Sequence, residues 1–200
     1  MLQLRQVKKS YAEPDGGRLP ILDIAAFDVK NGEQMVLVGK SGCGKTTLLH
    51  TIAGITRADT GQILIDGIDI ATLSEAGVDK VRAAKIGYVF QTFNLLPGFT
   101  ALENVLLGMT FGRGRKDPAR ALANRPSLLL ADEPTANIDP RNQQKIVDLI
   151  RETCREEKVS LVMVTHSTEV SGQFDRIDRL EEINQVKVDA PADQGAGAAA

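Results

Sequence analysis

The segment Gly39-Lys40-Ser41-Gly42-Cys43-Gly44-Lys45-Thr46 constrains this chain more than any other. It fits the pattern G-x-x-x-x-G-K-[ST] in full. An apolar run, Met35-Val36-Leu37-Val38, precedes it, and a helical pattern from Lys45 to about Ala53 follows. A short continuous apolar run suits a strand buried on both faces of a parallel sheet. The glycines let the backbone close around phosphate oxygens, and successive N–H groups with the helix N-terminus point at the anion. Lys45 is expected to reach the terminal phosphates, and the Thr46 hydroxyl a magnesium ion. The expected phosphate-binding segment is therefore Gly39, Lys40, Ser41, Gly42, Cys43, Gly44, Lys45, Thr46 and Thr47.

The rest of the chain repeats the same grammar. Leu2 to Val7 and Ile21 to Val29 read as strands, with a turn-rich insert at Glu13-Pro14-Asp15-Gly16-Gly17 between them. Gln62 to Asp66 reads as a strand closed by a turn at Asp66-Gly67. Ser74 to Ala84 and Leu102 to Met109 read as helices. Ile86 to Phe90, Leu128 to Ala131 and Leu161 to Val164 are further short apolar runs. Pro140 to Lys158 is the clearest helix, with Ile146, Val147, Leu149, Ile150 and Cys154 at helical spacing. Asp139 is its natural N-cap, with Pro140 at the first helical position. Short buried strands alternating with helices predict an α/β domain with a mostly parallel sheet. In such sheets ligands bind beyond the carboxyl ends of the strands.

One of those ends carries two acids, Asp132-Glu133, after Leu128-Leu129-Leu130-Ala131. Alone, two acids at a strand end are usually a solvated turn. With the phosphate loop upstream, Asp132 is placed to hold magnesium. Glu133 then falls near the terminal phosphate as a base or water-positioning group.

Together, the Gly39–Thr46 loop and Asp132-Glu133-Pro134-Thr135 resemble the ATPase subunit of ABC transporters. The resemblance runs from Leu2 to about Val188, with one gap. It implies a P-loop NTPase fold: a mostly parallel sheet flanked by helices, an N-terminal antiparallel β region and a helical lobe, here truncated. It implies ATP and Mg²⁺ as cofactors. It also assigns residues. Tyr11 stands where the family stacks an aromatic on adenine. Gln91 matches the glutamine that contacts Mg²⁺ and the attacking water. Asn137-Ile138-Asp139 occupies the position of a dimer-interface loop. His166 matches the histidine that contacts the γ-phosphate. The implied catalytic set is Glu133, His166 and Gln91, and the implied metal set Thr46, Gln91 and Asp132. His50 is read as an ordinary helix residue. The segments Phe90 to Pro97 and Thr100 to Val105 look closest to a branch whose membrane partners extract lipoproteins, export macrolides or act in cell division.

The sequence departs from the family at one place. The signature Leu-Ser-Gly-Gly-Gln is absent, and only 40 residues separate Gln91 from Asp132. Ser171-Gly172-Gln173 resembles a fragment of it but follows His166. Most of the helical lobe is missing around residues 92–120. In the family, each ATP lies between one subunit's P-loop and the other's signature, whose N–H groups and helix N-terminus face the γ-phosphate. The resemblance implies that the chain binds Mg-ATP and hydrolyses it to drive transport through a separate membrane subunit. The alternative is an ATP-binding module that, lacking the signature, hydrolyses ATP slowly or not at all as a homodimer. The remaining alternative, a soluble family member outside transport, usually has two such domains or long inserts.

Composition narrows the setting. Twenty-four basic and 26 acidic residues leave a net charge of −2, and no basic stripe suggests nucleic acid. Cys43 and Cys154 are unclustered, which suits a reducing compartment. No apolar run approaches the roughly 20 residues that span a bilayer. The expectation is one ATP-binding domain over 1–188 and a disordered, low-complexity tail over 189–200. The expected location is cytoplasmic, on the inner face of the cell membrane. A membrane permease subunit would hold it there, and it would pair with a second ATP-binding subunit as a homodimer or heterodimer.

Overall fold

Two sheets of opposite character meet over a shared core. The computed structural model describes residues 1–91, 126–136 and 138–186. The first sheet is antiparallel and has the order β2-β1-β4-β5, from β1 (Leu2–Ala12), β2 (Arg18–Val29), β4 (Thr60–Ile65) and β5 (Ile68–Asp69). The second is parallel throughout. Its order is β6-β7-β8-β3-β9, from β3 (Gln34–Val38), β6 (Ile86–Val89), β7 (Leu128–Asp132), β8 (Ser160–Val164) and β9 (Arg176–Arg179). The helices are α1 (Lys45–Ile52), α2 (Glu75–Lys85), α3 (Pro140–Glu156), α4 (Thr168–Ser171) and α5 (Leu180–Ile183).

The apolar runs of the parallel sheet are buried on both faces, as their continuity predicts. All five residues of β8 are buried. Strand alternation then assigns each face. Met35, Leu37, Leu128, Leu130, Val162 and Val164 face α1 and the antiparallel sheet, against Leu48, Leu49, Ile52, Leu4 and Ile63. Val36, Ala131, Leu161 and Met163 face the other way, against Val147 and Cys154 of α3 and against Phe174. Fully burying one such Leu or Val side chain stabilises the fold by about 1.5–3 kcal/mol.

The structure differs from the sequence reading at several edges. β2 begins at Arg18 rather than Ile21, and β4 at Thr60 rather than Gln62. β1 runs to Ala12 rather than Val7, because pairing with β2 continues through Ala12↔Arg18 after the apolar alternation has stopped. β9 and the short helices α4 and α5 carry no apolar period that would announce them. Arg176 in β9 is held by ion pairs to Glu33 and Asp178 instead. Lys158, expected in the long helix, lies just past its end. The expected helix Leu102–Met109, the polar stretch 111–120, Asn137 and the tail 189–200 lie outside the described residues.

Candidate functional site

Strand order decides where the chemistry falls. β6, β7, β8 and β3 are adjacent and parallel, so their carboxyl ends share one rim. Gln91, Glu133, His166 and the Gly-rich loop follow these four ends. The rim lines a cavity of about 610 Å³ walled by Ser41, Gly42, Gly44, Lys45, Thr46, Thr47, Gln91, Asp132, Glu133 and His166, with Ile21 from β2.

The loop needs its glycines. Gly42 and Gly44 sit at φ +78° and +99°. A Cβ on Gly44 would also lie 3.0 Å from the Ile21 side chain. Gly44 caps α1, and its carbonyl accepts the first helical bond from Leu48 N–H at 2.8 Å. Lys45 Nζ donates to the carbonyls of Gly39 (2.8 Å) and Lys40 (2.7 Å). That holds the ammonium inside the loop. The Lys40 N–H donates to Glu181 Oε1 at 2.7 Å, and this bond is the main cause of the lowered Glu181 pKa. Cys43 is buried beneath the loop, and burial pushes its thiol pKa up. It is a packing residue rather than a reactive thiolate.

Asp132 ends β7 and is 3% exposed. Burial pushes its carboxyl pKa up, while the Thr46 hydroxyl and His50 pull the other way. Its Oδ1 is buried and has no hydrogen-bond partner. Glu133 follows at φ +46°, a strained value for a residue with a side chain. Its N–H donates to the Val164 carbonyl at 3.0 Å, which ties the bend to the end of β8. His166 Nδ1 donates to Glu133 Oε1 at 2.9 Å. The His166 side chain is 73% exposed and that of Glu133 only 11%.

The residues fit a magnesium ion. An unsatisfied buried carboxylate oxygen beside a hydroxyl is the donor set expected for a hard cation that takes its other ligands from phosphate and water. Among the described residues no cluster of three or more His, Cys, Asp or Glu makes an all-protein cage.

Several expected residues stand away from the cavity wall. Gly39, Lys40 and Cys43 do not line it; Cys43 is buried and Lys40 exposed. Tyr11 is 43% exposed near the end of β1, with Lys9 Nζ 5.2 Å above its ring. Ser171 of the signature-like fragment is buried and donates its hydroxyl to the Thr168 carbonyl at 3.2 Å. Sequence reasoning missed Tyr88, His50 and Glu181. His50 lies one helical turn after Thr46, a spacing that places both on one face of α1. Tyr88 and Ile86 share a face of β6 by alternation. Those two signals were readable. Nothing local to Glu181 announces its bond to the loop.

Fold and site define a P-loop nucleoside-triphosphate-binding domain. Comparison with known proteins sets it in a family. Residues 22–117 match the family model for ABC transporters. The lipoprotein-releasing system ATP-binding protein LolD 2 of Caulobacter vibrioides is 35% identical, over 91% of this chain and 95% of that protein. The macrolide export ATP-binding/permease protein MacB of Rhodopirellula baltica is also 35% identical, over 91% of this chain and 32% of its own longer length. The dimeric ATP-binding cassette MJ0796, solved in a post-hydrolysis state with ADP and Pi, superposes with a TM-score of 0.81 at 31% identity, covering 90% of this chain and 94% of that one. The chain belongs to the ABC transporter family, as an ATP-binding subunit. The alignment to the Caulobacter protein takes 217 positions to cover 91% of 200 residues, so that relative carries residues with no counterpart here.

Proposed function

We propose that this subunit binds Mg-ATP on the rim described above, on the inner face of a cell membrane, and works with a separate permease subunit. The observation that carries the reading is convergence. Lys45, Thr46, Gln91, Asp132, Glu133 and His166 come from four strand ends and line one cavity. The loop N–H groups and Lys45 bind the phosphates. Thr46, Asp132 and Gln91 hold the metal, which neutralises phosphate charge. Glu133, held by His166, orients the water and accepts its proton. Thr47 adds a donor at the start of α1, and Tyr11 stacks on adenine. A second ATP-binding subunit, most simply a second copy of this chain, closes the site, in keeping with the dimeric form of MJ0796.

A second reading has its own support. The sequence holds no Leu-Ser-Gly-Gly-Gln. A pair of such chains then lacks the donors that the family brings to the γ-phosphate from the opposing subunit. Phosphoryl transfer depends mainly on positioning and electrostatic stabilisation. The chain therefore acts as a nucleotide-binding module with little turnover. Equilibrium binding of a fluorescent ATP analogue, beside a phosphate-release assay, tests both parts. Tight Mg-dependent binding with background release is expected. No binding refutes the site assignment, and family-like release refutes the loss of turnover.

In the related proteins the cargo is a lipoprotein or a macrolide by name. The same branch is proposed here. Co-purification of this chain with a membrane permease subunit is the direct check.

A further inference from the structure

Two buried polar atoms near the rim lack partners, and they lie close together. One is Asp132 Oδ1 and the other the Tyr88 hydroxyl. Tyr88 pairs with Leu130 across the parallel ladder between β6 and β7. Both therefore share a face with Asp132, two residues on. Tyr88 packs in the core cluster beneath α1, where its ring lies 5.8 Å from that of His50 and 4.2 Å from that of Phe90. The Asp132 charge reaches the hydroxyl closely enough to help raise its pKa, after burial. Leaving a buried hydroxyl and a buried carboxylate oxygen both unpaired is costly, and natural interiors rarely do so.

We propose that Tyr88 is a positioning residue for the metal: its hydroxyl donates to the Asp132 carboxylate and fixes it towards Thr46. The proposal rests on the Mg-ATP reading of the rim. A tyrosine hydroxyl is a donor that stays protonated here, and a carboxylate is an acceptor, so the pair is complementary. The ring is clamped between His50 and Phe90, which limits where the hydroxyl can point. Groups that orient a metal ligand in this way commonly change metal affinity when removed.

The test uses the full chain and Tyr88→Phe, which keeps the ring and removes the oxygen. Mg²⁺ is titrated into chain and fluorescent ATP analogue, and the half-saturating Mg²⁺ is read. Tyr88→Phe should raise it roughly tenfold and leave metal-free nucleotide affinity unchanged. An unchanged Mg²⁺ midpoint overturns the proposal, because a core-filling tyrosine would not move it. A second readout needs no nucleotide. Thermal midpoints of Tyr88→Phe, Asp132→Asn and the double variant form a cycle. Non-additive shifts are expected, and additive shifts overturn the pairing. Wild-type chain that binds no nucleotide refutes the function reading, while the thermal cycle still decides the pair.

Discussion

Glu133 and His166 meet at 2.9 Å across 33 residues of sequence, one just past the end of β7 and the other just past β8. The bond is possible because those strands are parallel neighbours, with Asp132 paired to Val164. A carboxylate only accepts, so Nδ1 donates in this bond. Glu133→Gln keeps the shape and removes the carboxylate proposed as the base. Nucleotide affinity should be unchanged and any residual hydrolysis should fall by about 100-fold or more. His166→Ala should lower residual hydrolysis as well, and shift stability by about 1 kcal/mol or less, since the ring is largely exposed. Hydrolysis that survives Glu133→Gln would remove Glu133 from the mechanism.

Lys45 is the test of the phosphate loop. Its ammonium already bridges the carbonyls of Gly39 and Lys40, so Lys45→Ala removes a brace of the loop and, on the proposed reading, a phosphate ligand. ATP binding should fall by about 100-fold or more, as expected for losing a charged hydrogen-bonding partner in a phosphate site. Circular dichroism should stay native, because Lys45 contributes nothing to either core cluster. Wild-type affinity in this variant would refute the role of the loop.

Much of this rim was legible in sequence because its signals are local. Gly39 to Thr46 announces its geometry by spacing, and Asp132-Glu133 by ending an apolar run. The buried strands were visible in Met35–Val38 and Leu161–Val164 for the same reason. What stayed hidden depends on contacts distant in sequence. Glu181 reaches the Lys40 N–H across 141 residues, and no local pattern encodes that. β9 is a four-residue polar strand held by Arg176 ion pairs, so hydrophobic period is blind to it. His50 reads as an ordinary helix residue until β6 and β7 bring Tyr88 and Asp132 beside it.

Turnover separates family membership from activity. With no Leu-Ser-Gly-Gly-Gln in the chain, phosphate release should sit at least about 100-fold below that of a complete cassette, the size of effect seen when a single preorganised donor is lost. Grafting the family's signature-bearing helical segment between Gln91 and Asp132 should raise release without changing Mg-ATP affinity. Equal release before and after the graft, at a family-like rate, would show that this chain completes its site some other way.

Acid should loosen the far end of the β1–β2 ribbon before the rest of the fold. Asp59 gathers that end. Its Oδ2 accepts from Ser10 N–H at 2.8 Å, Ser10 Oγ at 2.6 Å and Arg18 Nη2 at 3.0 Å, while Lys9 Nζ lies 3.4 Å from Oδ1. The Ser10 hydroxyl bond is the leading cause of a pKa lowered from 3.8 to about 2, with Lys9 adding to it. A depressed carboxylate pKa stabilises the fold above the unfolded value and loses that contribution as pH falls through the folded one. The window is therefore from 3.8 down to about 2. Asp59→Asn should lower stability at neutral pH and flatten the pH dependence within that window, measured as urea midpoints. Tyr11 stands beside Ser10 on the same strand end, so hydrogen exchange at Ser10 and Tyr11 should rise in the variant while Leu2, Leu4 and Val7, buried in the core, stay protected. Unchanged exchange at Ser10 and Tyr11 would mean that backbone pairing alone holds the ribbon end.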